Sequence, residues 1–156
     1  MSIMDLYITI LLYSLIILIT FIFMESVAWF LHKYVMHGFG WYLHEDHHRY
    51  KKGRFQKNDL FGLFFSVLSF ILILTGFFGG FDIRLPIGIG VACYGIGYFV
   101  VHDIFFHRRI RIKHRPKSTY MKRVLNAHST HHQKSKEHDG ICFGFLYANK
   151  KYNVPS

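Results

Sequence analysis

His44-Glu45-Asp46-His47-His48 returns, in its histidines, as His128-Ser129-Thr130-His131-His132 eighty-four residues later. On a helix the i, i+3 and i+4 positions share a face, so each box is expected to aim three imidazoles at one volume. A looser pair at i, i+5 precedes each box: His32 and His37 before the first, His102 and His107 before the second. Ten of the twelve histidines therefore belong to one repeated pattern. An octahedral ion takes six ligands and a tetrahedral one four. Ten imidazoles are too many for one ion and suit two, which predicts a dinuclear, all-histidine metal centre carried on helices. Positions i and i+5 differ by about 140° on an ideal helix, so the pairs need a frayed end or a π-bulge to face one ion. Gly38, directly after His37, reads as such an end. His114 stands alone in a basic stretch and is read as an ordinary histidine; His138 is left outside the ligand set.

Outward from the boxes the chain is apolar. Leu6 to Met24 is nineteen residues without a charge, enough to cross a hydrocarbon core of roughly 30 Å at about 1.5 Å per residue. No Lys or Arg precedes it and no small-residue cleavage site follows, so a signal peptide is not expected. Leu60 to Phe81 and Leu85 to Val101 are the second and third uncharged runs, of 22 and 17 residues. Gly79-Gly80 and Asp82 predict a tight turn between them, and Pro86 fits the first turn of a helix. Asn58 and Asp59 read as N-caps of the second run. Gly88, Gly90, Gly95 and Gly97 permit close helix packing in the third. The expected spans are about 4–31, 60–81 and 85–106: one long helix, then a hairpin. The His-box regions 32–59 and 102–156 form a helical cap within a single domain, 1–156, and residues 40–49 a short helix for the first box.

Three spans put both box regions on one side of the membrane. Charge points the same way. Eighteen of nineteen Lys and Arg fall in 32–59 and 108–156, and Arg84 alone lies on the other side. The positive-inside rule makes the histidine side cytoplasmic and the amino terminus external, in a cell inner membrane. A net charge of +10 and a pI near 9.7 beside 51% hydrophobic residues exclude a soluble nucleic-acid binder and fit basic loops beside an anionic membrane surface. Cys93 and Cys142 form no paired motif, so neither a disulfide nor thiolate ligation is expected. The oligomeric state is left open.

Imidazole suits zinc, iron, copper and nickel alike, so the ligands do not name the metal, and a purified sample could retain zinc. Neutral rings leave two divalent ions nearly uncompensated, so nearby carboxylates are expected to help. Glu25 lies two turns before His32 on the same face, and Asp103, Glu45 and Asp46 adjoin ligands and could accept a spare ring N–H. For Glu45 and Asp46 a solvated surface role is the equal alternative, and for Glu25 the alternative is an interfacial residue reaching to water. Trp29, Phe30, Phe99 and Phe105, ahead of the boxes, read individually as ordinary lipid-facing or core packing, and are the candidates to line a passage should a lipid-soluble substrate reach the metals.

The four histidine groups, in this order and with a hydrophobic hairpin between them, resemble the membrane fatty-acid hydroxylase and sterol desaturase superfamily. His32-Lys33-Tyr34-Val35-Met36-His37-Gly38, Asn58-Asp59-Leu60, His102-Asp103 with His107-Arg108-Arg109, and Phe143-Gly144-Phe145-Leu146-Tyr147-Ala148 resemble the short bacterial β-carotene 3-hydroxylases, a likeness running from about Glu25 to Ala148. The resemblance implies two non-haem iron ions held by His32, His37, His44, His47, His48, His102, His107, His128, His131 and His132. It implies O2 as co-substrate, β-carotene drawn from the bilayer and hydroxylated at C3 of each ring through β-cryptoxanthin to zeaxanthin, and electrons from a ferredoxin-type donor. The basic rim could dock such a donor or attract anionic lipid. The same scaffold could serve a hydroxylase or desaturase of another fatty acid, sterol or carotenoid. A membrane metal transporter would instead place ligands at mid-depth, reachable from both sides, and a zinc-stapled structural protein would need far fewer.

Overall fold

Twenty-eight residues, Ile3–Phe30, form α1 in the computed structural model, which describes residues 2–49, 55–134 and 141–154. At about 1.5 Å per residue that is about 42 Å of helix. The chain continues without a break into a π-helical segment, π1, Leu31–Phe39. Next come α2 (Trp41–His48), α3 (Asp59–Phe78) and α4 (Arg84–Tyr98), the last running on into a second π segment, π2, Phe99–Phe106. α5 (Thr119–Lys134) and a 3₁₀ turn at Lys150–Tyr152 complete the order. No strand occurs among the described residues. Among the described residues three helices are long and apolar enough to cross a bilayer: Ile3–Phe39, Asp59–Phe78 and Arg84–Phe106.

The residues divide into two units. The first comprises Met1–Met24 and Phe61–Ile96. Its helices are apolar on nearly every face. No residue of α1's most apolar 18-residue window is buried, and Leu11, Phe64 and Phe70 stand more than half exposed. That surface needs a lipid solvent. Close approach inside the unit runs through two glycines of α4. A methyl group on Gly90 would lie 2.6 Å from Thr20 Cβ, and one on Gly88 would lie 2.8 Å from the Ile73 backbone nitrogen. Ser69 Oγ donates to the Gly88 carbonyl at 3.0 Å, and Phe21 meets Tyr94 edge-on at 5.7 Å. Gly95, by contrast, faces open space.

α3 ends at Phe78, three residues before the expected Phe81, because Gly79-Gly80 breaks it. Gly80 takes φ +86° and Phe81 follows at +62°, both left-handed. Asp82 caps the return, accepting from the Arg84 backbone at 3.0 Å and pairing with its guanidinium. Pro86 is buried within the first turn of α4.

The second unit comprises Glu25–Leu60 and Gly97–Ser156 and carries both boxes. α2 holds the first and α5 the second. Val124 and Ala127 of α5 pack with Ala148 and Tyr152 into a small buried core, with Val101 and Cys142 against it. Asn126 Nδ2 donates to the Tyr152 carbonyl at 2.9 Å, and Tyr120 donates to the Leu146 carbonyl. The terminal segment is thereby tied to α5. Cys93 and Cys142 are both free thiols. The basic stretch Tyr50–Arg54 and His138 lie outside the described residues.

Candidate metal centre

The two i, i+5 pairs are resolved by the two π segments. His107 N–H donates to the His102 carbonyl at 2.9 Å, an i→i+5 bond. Such a bond places the two residues one turn apart on one face, and their rings approach to 4.6 Å between centroids. His32 and His37 come to 5.2 Å in the same way. Gly38 leaves helical geometry at φ −115°, ψ −130°, and the Gly40 N–H donates back to Val35 at 2.8 Å.

All ten pattern histidines gather into two groups of five. One holds His32, His37, His44, His48 and His131; the other holds His47, His102, His107, His128 and His132. Within each group the candidate ligand atoms lie within 4.8 Å of one another. The division corrects the expectation that each box aims three rings at one volume. The middle histidine of each box crosses to the group built by the other half of the chain. Helix geometry explains why. Relative to His44, His48 sits about +40° round the axis and His47 about −60°, so neighbours 47 and 48 diverge by about 100°. His131 and His132 diverge likewise.

Ring orientation is set from behind. His32 Nδ1 donates to the Phe143 carbonyl at 3.2 Å and His131 Nδ1 to the Ile141 carbonyl at 2.7 Å. His44 Nδ1 is held by Asn58 Oδ1 at 2.7 Å and His47 Nδ1 by Gln56 Oε1 at 2.9 Å. A carbonyl oxygen only accepts, so these Nδ1 atoms carry the proton and the Nε2 atoms carry lone pairs. The Nε2 atoms of the ten rings converge in pairs. His32 and His48 each lie 3.1–3.2 Å from His44, and His37 lies 3.2 Å from His131. His102 and His107 lie 3.1 Å from His47, and His132 lies 3.1 Å from His128. His32 and His44, both protonated at Nδ1, set two lone pairs face to face, which repel at that distance unless a cation sits between them. Two nitrogens at right angles around an ion at about 2.1 Å are about 3.0 Å apart. The donor set therefore fits two nitrogen-bound metal ions, each with five imidazoles available.

The rings beyond the spanning helices are also kept neutral, as ligands must be. Burial is the first cause throughout. It holds His44 at about 3 and His107 and His131 at about 4, against an ordinary 6.5. His47, His48, His128 and His132 are pushed in the same direction by burial and then by neighbouring rings.

The carboxylates fall in different places. Asp103 lies beside its ligand, with Oδ2 3.4 Å from His102 Nδ1 and Oδ1 2.8 Å from Arg109 Nε. Arg109 also reaches Asp59 Oδ1 and Gln56 Oε1, both at 2.7 Å. Gln56 thus joins the guanidinium to His47. Glu25 is directed at a loop: its Oε1 accepts from the backbone N–H groups of Phe145 and Leu146 at 2.7 Å and Tyr147 at 3.2 Å. That loop carries Phe143, whose ring packs on His32, His37 and His131. Asp46 accepts from the Lys57 backbone at 2.8 Å rather than from a ring, and Glu45 pairs with Arg49 on the surface. Asn58 supports His44 instead of capping α3, so its N-cap reading is corrected; with Gln56 and Arg109 it forms the support that motif reading overlooked. The strings Asn58-Asp59-Leu60 and His107-Arg108-Arg109 carried the signal for two of the three.

Among the passage candidates, Trp29 and Phe30 flank Tyr34 at 5.9 and 5.1 Å. Phe99 is exposed. Phe105 lines a cavity with His114, which belongs to neither cluster.

Residues 17–149 match the family model described as fatty acid hydroxylase. The chain belongs to the fatty acid hydroxylase family. Within it, the chain is 42% identical over 135 residues to the "Beta-carotene hydroxylase" of Pantoea ananas, covering 86% of this chain and 77% of that one. It is 42% identical over 137 residues to the protein of that name from Pseudescherichia vulneris, covering 88% and 77%. It is also 32% identical over 131 residues to "Beta-carotene hydroxylase 2, chloroplastic" of Capsicum annuum, covering 82% of this chain and 42% of the longer plant protein. No solved structure matches this hydroxylase significantly.

Proposed function

We propose that the protein is a non-haem di-iron β-carotene 3-hydroxylase, converting β-carotene to β-cryptoxanthin and then zeaxanthin. The observation that carries the reading is the pair of five-histidine groups whose ring nitrogens converge within 4.8 Å of one another. Support for the substrate comes from the bacterial relatives at 42% identity. Each hydroxylation consumes O2, two electrons and two protons, replaces one C–H bond by C–OH and releases one water. Bound iron would supply the oxygen activation.

What the chain's own residues do follows from their contacts. Carbonyl, amide and carboxylate oxygens hold the Nδ1 side of His32, His44, His47, His102 and His131, so the ligand face of these rings is fixed before metal arrives. Glu25 gathers the 145–147 backbone and through it seats Phe143 against three rings. Apolar helices suit a forty-carbon hydrocarbon that dissolves only in lipid. The distribution of Lys and Arg supports an inner-membrane placement with the boxes on the cytoplasmic side and the amino terminus outside.

Expression in a host that accumulates β-carotene tests the reading. Zeaxanthin and β-cryptoxanthin carrying label from 18O2 are the expected products. Unchanged pigment from metal-loaded protein with a competent donor would overturn it, and new hydroxylated fatty acids in the same extract would name the substrate instead.

A further inference from the structure

The second unit contains a cavity of about 870 Å³ that the metal centre does not use. Its walls include Ile104, Phe105, Ile112, Leu125 and Val154, and its cations are Arg108, Lys113, Arg115, Lys117 and Lys122, all exposed. No carboxylate lines it among the described residues. The sequence has none from residue 104 to residue 136, a stretch holding ten Lys and Arg. Phe106 is the shared wall: it lines this cavity, and its ring packs on His128 at 4.3 Å, His107 at 4.7 Å and His132 at 5.4 Å. One aromatic ring therefore separates this basic hollow from three members of one histidine group.

We infer that this hollow docks a small acidic electron-carrier protein, with Phe106 at the point where electrons pass to the His47–His102–His107–His128–His132 group. The inference rests on the hydroxylase reading, which requires two electrons per hydroxylation that the chain cannot generate. Two carriers, each oxidised by one electron, or one carrier used twice, balance the reaction. Charge complementarity at the rim sets the approach and the encounter rate. The apolar floor excludes water from the contact. An anionic phospholipid headgroup would satisfy the cations equally, but it gives no reason for the hollow to abut the ligands.

The test uses the metal-loaded full chain in neutral-lipid nanodiscs, with a small acidic [2Fe–2S] ferredoxin as probe. Binding is measured directly, and turnover is driven either by that carrier or by a small uncharged photoreduced flavin. The K113E/R115E/K117E variant is expected to weaken carrier binding at least tenfold and flatten its salt dependence, while flavin-driven turnover stays within twofold of wild type. Phe106→Leu, checked for full metal content, is expected to keep carrier affinity and slow carrier-driven reduction about fivefold or more. Unchanged carrier affinity in the triple variant overturns the inference. If that variant instead loses binding to phosphatidylglycerol vesicles, the hollow belongs to lipid. Wild type that binds the carrier but turns over with neither reductant defeats the hydroxylase reading and leaves the docking result standing.

Discussion

The two histidine groups have the same number of rings and different surroundings. The His32–His37–His44–His48–His131 group is supported by neutral oxygens: the Phe143 and Ile141 carbonyls and the Asn58 amide. The His47–His102–His107–His128–His132 group is supported by charge, through Asp103, Arg109 and the Gln56 amide that Arg109 also holds. Only the second meets Phe106. Acceptors that carry charge make a ligand ring more basic and tune its metal more strongly than neutral ones. The two ions are thus predicted to be inequivalent, the second being the one open to outside electrons.

The largest effect should come from single ligands, and it breaks the comparison most directly. His44→Ala, His47→Ala, His102→Ala and His131→Ala should each abolish turnover while leaving membrane insertion intact, with metal content falling from about two ions to about one. Electron paramagnetic resonance of the remaining ion should group His131→Ala with His44→Ala, and His47→Ala with His102→Ala. A spectrum that grouped His131→Ala with His128→Ala would restore the box-by-box division. Next in size are the supports. Arg109→Met should lower affinity for one ion and Asn58→Ala for the other, each about 10–100-fold, as read by competition with a chelator. Equal effects on both ions from either variant would mean that the supports are shared.

Glu25→Gln should be milder. The amide still accepts hydrogen bonds but without charge, which costs roughly 1 kcal/mol. Turnover should fall about fivefold with both ions retained; an unaltered rate would make the loop's seating irrelevant to the rings. Smallest of all is Glu45→Gln. Its pair with Arg49 is solvent-facing and worth about 0–1 kcal/mol, so activity within twofold of wild type is expected.

Much of this was legible in the residues alone. Three apolar runs, the turn at Gly79-Gly80 and ten metal-directed histidines follow from composition, punctuation and spacing. Even the π-helical solution was implied, because an α-helix leaves His102 and His107 about 140° apart. The partition of the rings was not legible. The 100° divergence of His47 from His48 is a property of α2, but which group each meets depends on where α5 and π2 lie. Nor could spacing reveal that Asn58 turns towards His44, since its side chain serves equally well as a helix cap. Glu25 misled for a related reason: helical register put it near His32, whereas its acceptor strength is drawn to a backbone turn 120 residues away.

The exchange of middle histidines bears on how the protein is made. When the first box has left the ribosome, the nascent chain holds four of the five rings for one ion and a single ring for the other. Both shells close only when α5 is synthesised and folded into place. Completion of both shells is therefore a late event, and a translation product truncated before His128 lacks His131 from one shell and His128 and His132 from the other.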